Sequence, residues 1–240
     1  MSDDFMEQTF TAPQERLIPI SDAVCRFADP ERPMSILDLG CGTGEQLRAL
    51  AAVLPMAALM GIDISEANIR TARGSLAGRK FAERIQFRAS DYMAFGGGPF
   101  DLVLSDSTLQ NIAAPTQSLF AKIAADLICG GFLIATMPDG CFYNRMLWRM
   151  RRLFLLMRCP ATDAAILWLA VLLHGRAYPR HLLRQRVAYM YRLPRRWADR
   201  AFYDHLARRC SLRLVSDTAL RHASLAQPKH RLLVFRKDAP

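Results

Sequence analysis

Lysine is absent between Cys141 and Arg213, where sixteen arginines face only Asp163, Asp199 and Asp204. That stretch carries +13, so the rest of a chain with a formal charge of +10 carries −3. The basic character belongs to one region, not to the fold as a whole. Such a region can meet nucleic acid, an anionic membrane surface or an anionic small molecule, or simply be a solvated helical surface. Paired cysteines are missing too. The six cysteines, at 25, 41, 129, 141, 159 and 210, form no CxxC pair and no cluster with histidine. This argues against a disulfide framework or a metal site and for reduced thiols in the cytoplasm. The opening residues MSDDFMEQ lack the basic-then-apolar order of a secretion signal, so none is expected. Long apolar runs are lacking as well. Ala164 to Leu173 is the most apolar stretch, and as a helix it would reach about 15 Å, half of a roughly 30 Å bilayer core. No transmembrane segment is expected. Nor is there an internal repeat, a low-complexity tract or a clear interdomain linker.

What is present is a globular composition, 51% apolar and 22% charged over 240 residues, enough for one domain with an elaboration. A helix is expected over Gln14 to Phe27. Strands are expected at Met34–Leu39, Ala58–Asp63, Ile85–Ala89, Phe100–Ser105 and Phe132–Met137. Between them, Leu47, Leu50, Ala51 and Leu54 mark one face of a helix over Glu45–Leu54. Ser65 is placed to cap a helix running to about Gly78. A further helix is expected over Thr116–Ile128, with Gly130 and Gly131 just past its end. Beyond Pro138, helices are expected over Asn144–Met157, Ala161–Leu173 and Arg195–Arg209, then strands at Ser211–Ser216 and His230–Arg236. The alternation predicts an α/β fold: a doubly wound, mostly parallel seven-stranded sheet closed by an antiparallel pair. Its parts are a helical lead-in over 1–33, an α/β half over 34–140, an arginine-rich helical insertion over 141–194 and a closing segment over 195–240.

The most informative stretch is ILDLGCGTGEQ, Ile36 to Gln46. A strand that passes into a helix through Gly40, Gly42 and Gly44 leaves helix amides bare and removes side chains that would hold a ligand off. The dinucleotide fingerprint GxGxxG would need glycine at 45, which is Glu45, and the phosphate-cradling GxxxxGK[ST] is absent. The loop has no basic residue, which suits a ligand without phosphates.

Leu37-Asp38-Leu39-Gly40-Cys41-Gly42-Thr43-Gly44 resembles the first motif of class I S-adenosylmethionine-dependent methyltransferases. The likeness continues in register through GIDIS (Gly61–Ser65), ASDY (Ala89–Tyr92), FDLVLSDSTLQNI (Phe100–Ile112) and GGFLIATMP. The resemblance implies a Rossmann-like methyltransferase fold and S-adenosyl-L-methionine as cofactor. It assigns Asp63 to the ribose hydroxyls and Asp91 to the adenine amino group. The implied cofactor set is Asp38, Gly40, Cys41, Gly42, Gly44, Asp63, Ile64, Asp91, Tyr92 and Ser105, with no metal. Ser105-Asp106-Ser107-Thr108 lacks the proline pair of the family's nucleobase amino-methylating members. The STLQNI loop is similar to that of small-molecule methyltransferases, including the trans-aconitate type, which implicates Gln110 and Asn111 in acceptor binding.

Methyl transfer from a sulfonium needs position and desolvation more than a constellation of catalytic side chains. If the acceptor must lose a proton, Tyr143, His174, His181 and His205 are the candidate bases. Tyr143, Met146 and Arg149 are expected to help bind a small hydrophobic or anionic acceptor, with O-methylation favoured by family frequency. The same helices could instead pack on the sheet or on a second copy, as a homodimer. Two alternatives stand beside this reading. One is an RNA methyltransferase using 141–213 as an electrostatic track; the other is a non-catalytic, membrane-peripheral or assembly protein with the same fold.

Overall fold

The first strand, β1 (Met34–Leu39), buries Ile36, Leu37 and Leu39 on both of its sides, as a central parallel strand must. The structure, a computed structural model, describes residues 14–174, 180, 183–184, 193–220 and 228–238. After α1 (Gln14–Phe27) and β1 come α2 (Glu45–Val53), β2 (Ala57–Asp63), α3 (Glu66–Gly74), β3 (Ile85–Ala89), β4 (Phe100–Asp106), α4 (Thr116–Asp126) and β5 (Leu127–Pro138). Then follow α5 (Phe142–Leu156), α6 (Pro160–His174), α7 (Arg200–Cys210), β6 (Leu212–Ala219) and β7 (His230–Lys237).

Among the described residues the sheet has seven strands in the order β3-β2-β1-β4-β5-β7-β6. The strands β3, β2, β1, β4 and β5 run parallel, and β7 lies antiparallel to both β5 and β6. The chain winds outward from β1 to β3, then restarts on the other side of β1 with β4. Strand order therefore reverses between β1 and β4, where α/β sheets hold their ligands outside the carboxyl ends. Alternation of side chains along each strand supplies two cores. One gathers Leu37, Val103, Leu133 and Phe235 with Phe120 of α4 and Phe202 and Leu206 of α7. The other gathers Ile36, Leu59, Leu104 and Val234 with Val24 of α1, Leu47 and Leu50 of α2, and Ile69 of α3.

The largest departures from the expected element boundaries are at α3, at the junction of α4 with β5, and at α7, and each has a contact that sets it. Helix α3 stops at Gly74, not Gly78, since Ser75 turns its hydroxyl onto Ala72 O (2.6 Å) and receives Arg48 Nη1 of α2 (2.7 Å). Helix α4 stops at Asp126, and Gly130 and Gly131 lie inside β5 instead of capping it. Pairing of β4 with β5 jumps from Phe100–Leu127 to Leu102–Phe132, so β5 bulges between them, with Gly130 at φ 79°. A Cβ on Gly131 would lie 2.9 Å from Asp101 O across the pair. Helix α7 begins at Arg200, not Arg195, because Asp199 caps it by accepting from Phe202 N (2.9 Å).

The described chain divides into two compact units, one of residues 1–139 with 196–240 and one of residues 140–195. The first holds the sheet. Its two segments are joined where the chain leaves and returns: Ala198 N donates to Pro138 O (2.7 Å), and Asp139 bridges Ala198 in parallel. The second holds α5 and α6. No helix among the described residues is long and apolar enough to cross a membrane.

Candidate functional site

At the reversal point, the loop after β1 and the loop after β4 press against each other. Gly40, Gly42 and Gly44 adopt φ of 78°, 54° and 80°, a region that glycine enters without a Cβ penalty. Gly40 N and Cys41 N both donate to Ile62 O at the end of β2 (2.8 and 3.0 Å). Space is short as well. A Cβ on Gly40 would lie 2.1 Å from Thr108 Oγ1, and one on Gly44 would run into the Phe87 ring at 2.4 Å. Two of the three glycines are thus required by the protein's own packing, a reason separate from close approach of a ligand.

Asp63 braces this loop. Its Oδ2 accepts from Gly42 N (2.9 Å) and its Oδ1 from Ser65 N (2.8 Å), while Ser65 Oγ caps α3 by accepting from Asn68 N. Each carboxylate oxygen has a second lone pair, so bracing leaves acceptor capacity for ligand hydroxyls. Ile64 lies half-buried between brace and cap. Ser90 N donates to Asp63 O (2.9 Å), tying the end of β3 to the end of β2. Asp91 follows on the exposed rim, its Oδ1 accepting from Met93 N (2.9 Å). Tyr92 turns inward. Its hydroxyl donates to Asp126 (2.8 Å) and Lys122 sits 4.8 Å above its ring, so its polar end is engaged at α4. Ser105 Oγ donates to Leu39 O (3.2 Å) and stitches β4 to β1.

Electrostatically the site is acidic. Asp38 is buried, and burial pushes its carboxyl up to about 8, with the charges of Asp106 and Asp63 adding to the effect. Burial likewise raises the Cys41 thiol well above its ordinary range, with Asp38 and Asp63 contributing. Asp106 is ion-paired with Arg16 of α1 (2.9 Å) and accepts from the Thr136 hydroxyl of β5. Arg16 thus pairs with Asp106, while Asp38 lies buried against the charges of Asp106 and Asp63. A ligand bringing positive charge would relieve this field and favour the ionised form of Asp38. The donor set fits a cationic ligand that also offers hydroxyl and amino donors.

The loop after β4 is folded tightly on itself. Ser107, at φ 54°, donates from its N to Thr136 Oγ1 (2.8 Å), and Asn111 Nδ2 donates to Ser107 O (3.1 Å). Arg16 also reaches the Ser107 hydroxyl. Arg196 is buried beneath the loop. Its Nη1 donates to Leu109 O and Ile112 O (both 2.9 Å), its Nη2 to Ala114 O, and its Nε to Thr116 Oγ1 (3.1 Å). Gln110 is buried on the same loop, and its Oε1 has no hydrogen-bond partner. Thr43 Oγ1 and Gln46 Oε1, on the facing glycine loop and the first turn of α2, are buried and unpartnered too. Buried polar atoms without partners are uncommon and mark places where a ligand or water completes the set.

The remaining candidates fall elsewhere. Tyr143, Met146 and Arg149 lie on α5 in the second unit. His205 lies on α7, which packs against α4 and β6; its Nε2 is buried without a partner. His174 ends α6, with its side chain outside the described residues, and His181 lies outside them altogether. Among the described residues no group of three or more His, Cys, Asp or Glu is placed to hold a metal ion. Sequence reasoning overlooked Arg16, Thr136 and Arg196. Thr136 alone carried a local signal, as a hydroxyl at an inward position of an otherwise apolar strand.

Comparison with known proteins follows the same lines. A family model described as a methyltransferase domain matches residues 30–154. The chain is 36% identical over 126 residues to a trans-aconitate 2-methyltransferase of Acidovorax ebreus, a match covering 52% of this chain and 46% of that one. It is 34% identical over 117 residues to a malonyl-[acyl-carrier protein] O-methyltransferase of Geobacter sulfurreducens, covering 48% and 43%. The chain spans about half the length of the curated relatives it matches. Among solved structures, magnesium protoporphyrin IX methyltransferase from Synechocystis superposes with a TM-score of 0.62 over 94% of this chain and 83% of its own, at 16% identity. That likeness concerns the fold.

Proposed function

We propose, from the premise that the chain belongs to this methyltransferase-domain family, that it methylates a small acidic or hydrophobic molecule using S-adenosylmethionine. Oxygen is the favoured acceptor atom. The reading is carried by one observation: at the point of strand reversal Asp38 is buried against the charges of Asp106 and Asp63, and the loop that follows Asp106 carries the buried, unpartnered oxygen of Gln110. When bound, the cofactor supplies a methyl carbon activated by an adjacent sulfonium.

The chain's residues hold and orient. Asp63, already fixed by Gly42 N and Ser65 N, offers its free lone pairs to vicinal hydroxyls. Asp91, on the rim, offers Oδ2 to an exocyclic amine. Asp106, and Asp38 once a bound cation favours its ionised form, place negative charge where a cationic ligand is wanted. Gln110 offers an acceptor to the methyl-accepting molecule, and Asn111 shapes the loop through Ser107. Relatives named for trans-aconitate and for a malonyl group support an acidic acceptor. The cytoplasm remains the proposed location, in keeping with six unpaired cysteines. The RNA-track reading loses Arg151 and Arg196, which are buried.

The test is transfer of label from methyl-labelled S-adenosylmethionine to organic-extractable, polar small-molecule and RNA fractions of a lysate. Label should enter a small-molecule fraction and vanish with Gly42→Arg. Gln110→Leu should lower transfer roughly tenfold or more while leaving the affinity for S-adenosylhomocysteine within about threefold. Label confined to RNA would overturn the proposal.

A further inference from the structure

Helix α5 exposes two adjacent rows of opposite character. Asn144, Trp148 and Arg151, spaced four and three apart, form its buried face. On the far side Phe142, Met146, Met150, Leu153 and Met157 succeed one another at intervals of four, four, three and four, all exposed. Leu153 is 60% exposed and Met157, just past the helix end, 65%. Alongside runs a row of Arg145, Arg149 and Arg152, also exposed, and the helix contains no Asp or Glu. In the same unit α6 exposes Trp168, Leu169 and Leu172, again at helical spacing.

We infer that the exposed side of α5 docks on an anionic lipid surface. This rests on exposure and charge alone and stands apart from the methyl-transfer reading. An unbroken apolar row in water is unfavourable and marks an interaction surface. Nucleic acid would engage the arginines and leave the methionine, leucine and phenylalanine side chains wet. A second copy packed antiparallel on the apolar row would set one arginine row beside its twin. An anionic membrane satisfies both rows at once: the apolar side chains enter the acyl boundary while the guanidiniums reach up to headgroup phosphates. The helix, of 15 residues, is about 22 Å long and would lie in the interface plane, far too short and one-sided to cross it. Methionine suits such a surface because it adapts to irregular packing.

The full chain should be floated with vesicles of mixed phosphatidylglycerol and phosphatidylcholine and with vesicles of phosphatidylcholine alone. It should rise with the anionic vesicles and stay behind with the neutral ones. Combined Arg145→Gln, Arg149→Gln and Arg152→Gln should weaken partitioning about a hundredfold, at about fivefold per arginine. Combined Met150→Glu and Leu153→Glu should abolish it, with circular dichroism confirming that both variants keep their helix. Failure to float with anionic vesicles would overturn the inference. So would flotation that neither variant alters, or a concentration-dependent dimer that Met150→Glu breaks in a protein with no affinity for vesicles.

Discussion

Asp38 has a special position in this molecule, because a carboxyl group raised to about 8 is a liability that only a ligand can turn to use. The unfolded chain releases that proton near 3.8. Between the two values the folded state keeps a proton the unfolded state has lost, so the contribution of Asp38 to stability falls as pH rises through that window. Asp38→Asn removes the titration. The melting temperature of the variant should therefore fall less than that of the parent between about pH 5 and about pH 8, measured without ligand. Equal slopes for the two proteins would show that Asp38 ionises normally. The same residue scale explains why two glycines of the loop are dictated from inside. Gly40 and Gly44 combine a left-handed φ with a neighbouring side chain already occupying the space of a Cβ.

Arginine joins one element to the next throughout the sheet unit. Arg84 donates to Ala51 O, Leu54 O and Ala57 O, closing the end of α2 onto the start of β2. Arg73 of α3 donates twice to Phe87 O of β3. Arg196 does the same for the loop after β4, holding three carbonyls and a hydroxyl from the segment that leads into α7. Replacing it leaves buried carbonyls without a donor. Arg196→Met should destabilise the protein by about 3 kcal/mol, lowering the melting temperature by roughly 6 to 12 °C for a chain of this size. Arg196→Lys should recover only part of this, because a single ammonium cannot span the fork. Thermal unfolding of the three proteins decides it; a loss under about 0.5 kcal/mol would mean that the loop holds itself. Part of the basic region that looked like a solvated or nucleic-acid-binding stripe is internal scaffolding.

The whole molecule is a sheet unit interrupted by a helical one, and the interruption begins and ends at neighbouring points. The bond from Ala198 N to Pro138 O and the bond from Asp139 N to Lys229 O hold both stumps within the sheet unit. Replacing 140–195 by a short glycine-serine linker, with Arg196 retained, should leave a cooperatively folding protein that binds S-adenosylhomocysteine but has lost its affinity for anionic vesicles. Calorimetric unfolding with and without the ligand, paired with flotation, measures both. Loss of cooperative unfolding would show that the sheet unit depends on the insertion.

The strand and helix order and the glycine loop between β1 and α2 were legible in the sequence. They are written in local terms: period-two and period-3.6 apolar spacing, a serine ahead of a helix, glycines ahead of another. Three things were decided only by tertiary structure, because each joins residues far apart in the chain. The first is the pairing of Arg16 with Asp106 and of Arg196 with the loop at 109–114, across 80 to 90 positions. The second is the early start of β5, where alignment with β4 overrode the helix-ending meaning of two glycines. The third is the protonation of Asp38. Its residue type says carboxylate, but burial among Asp63 and Asp106 decides which form it takes, and a dielectric environment is a property of the folded whole.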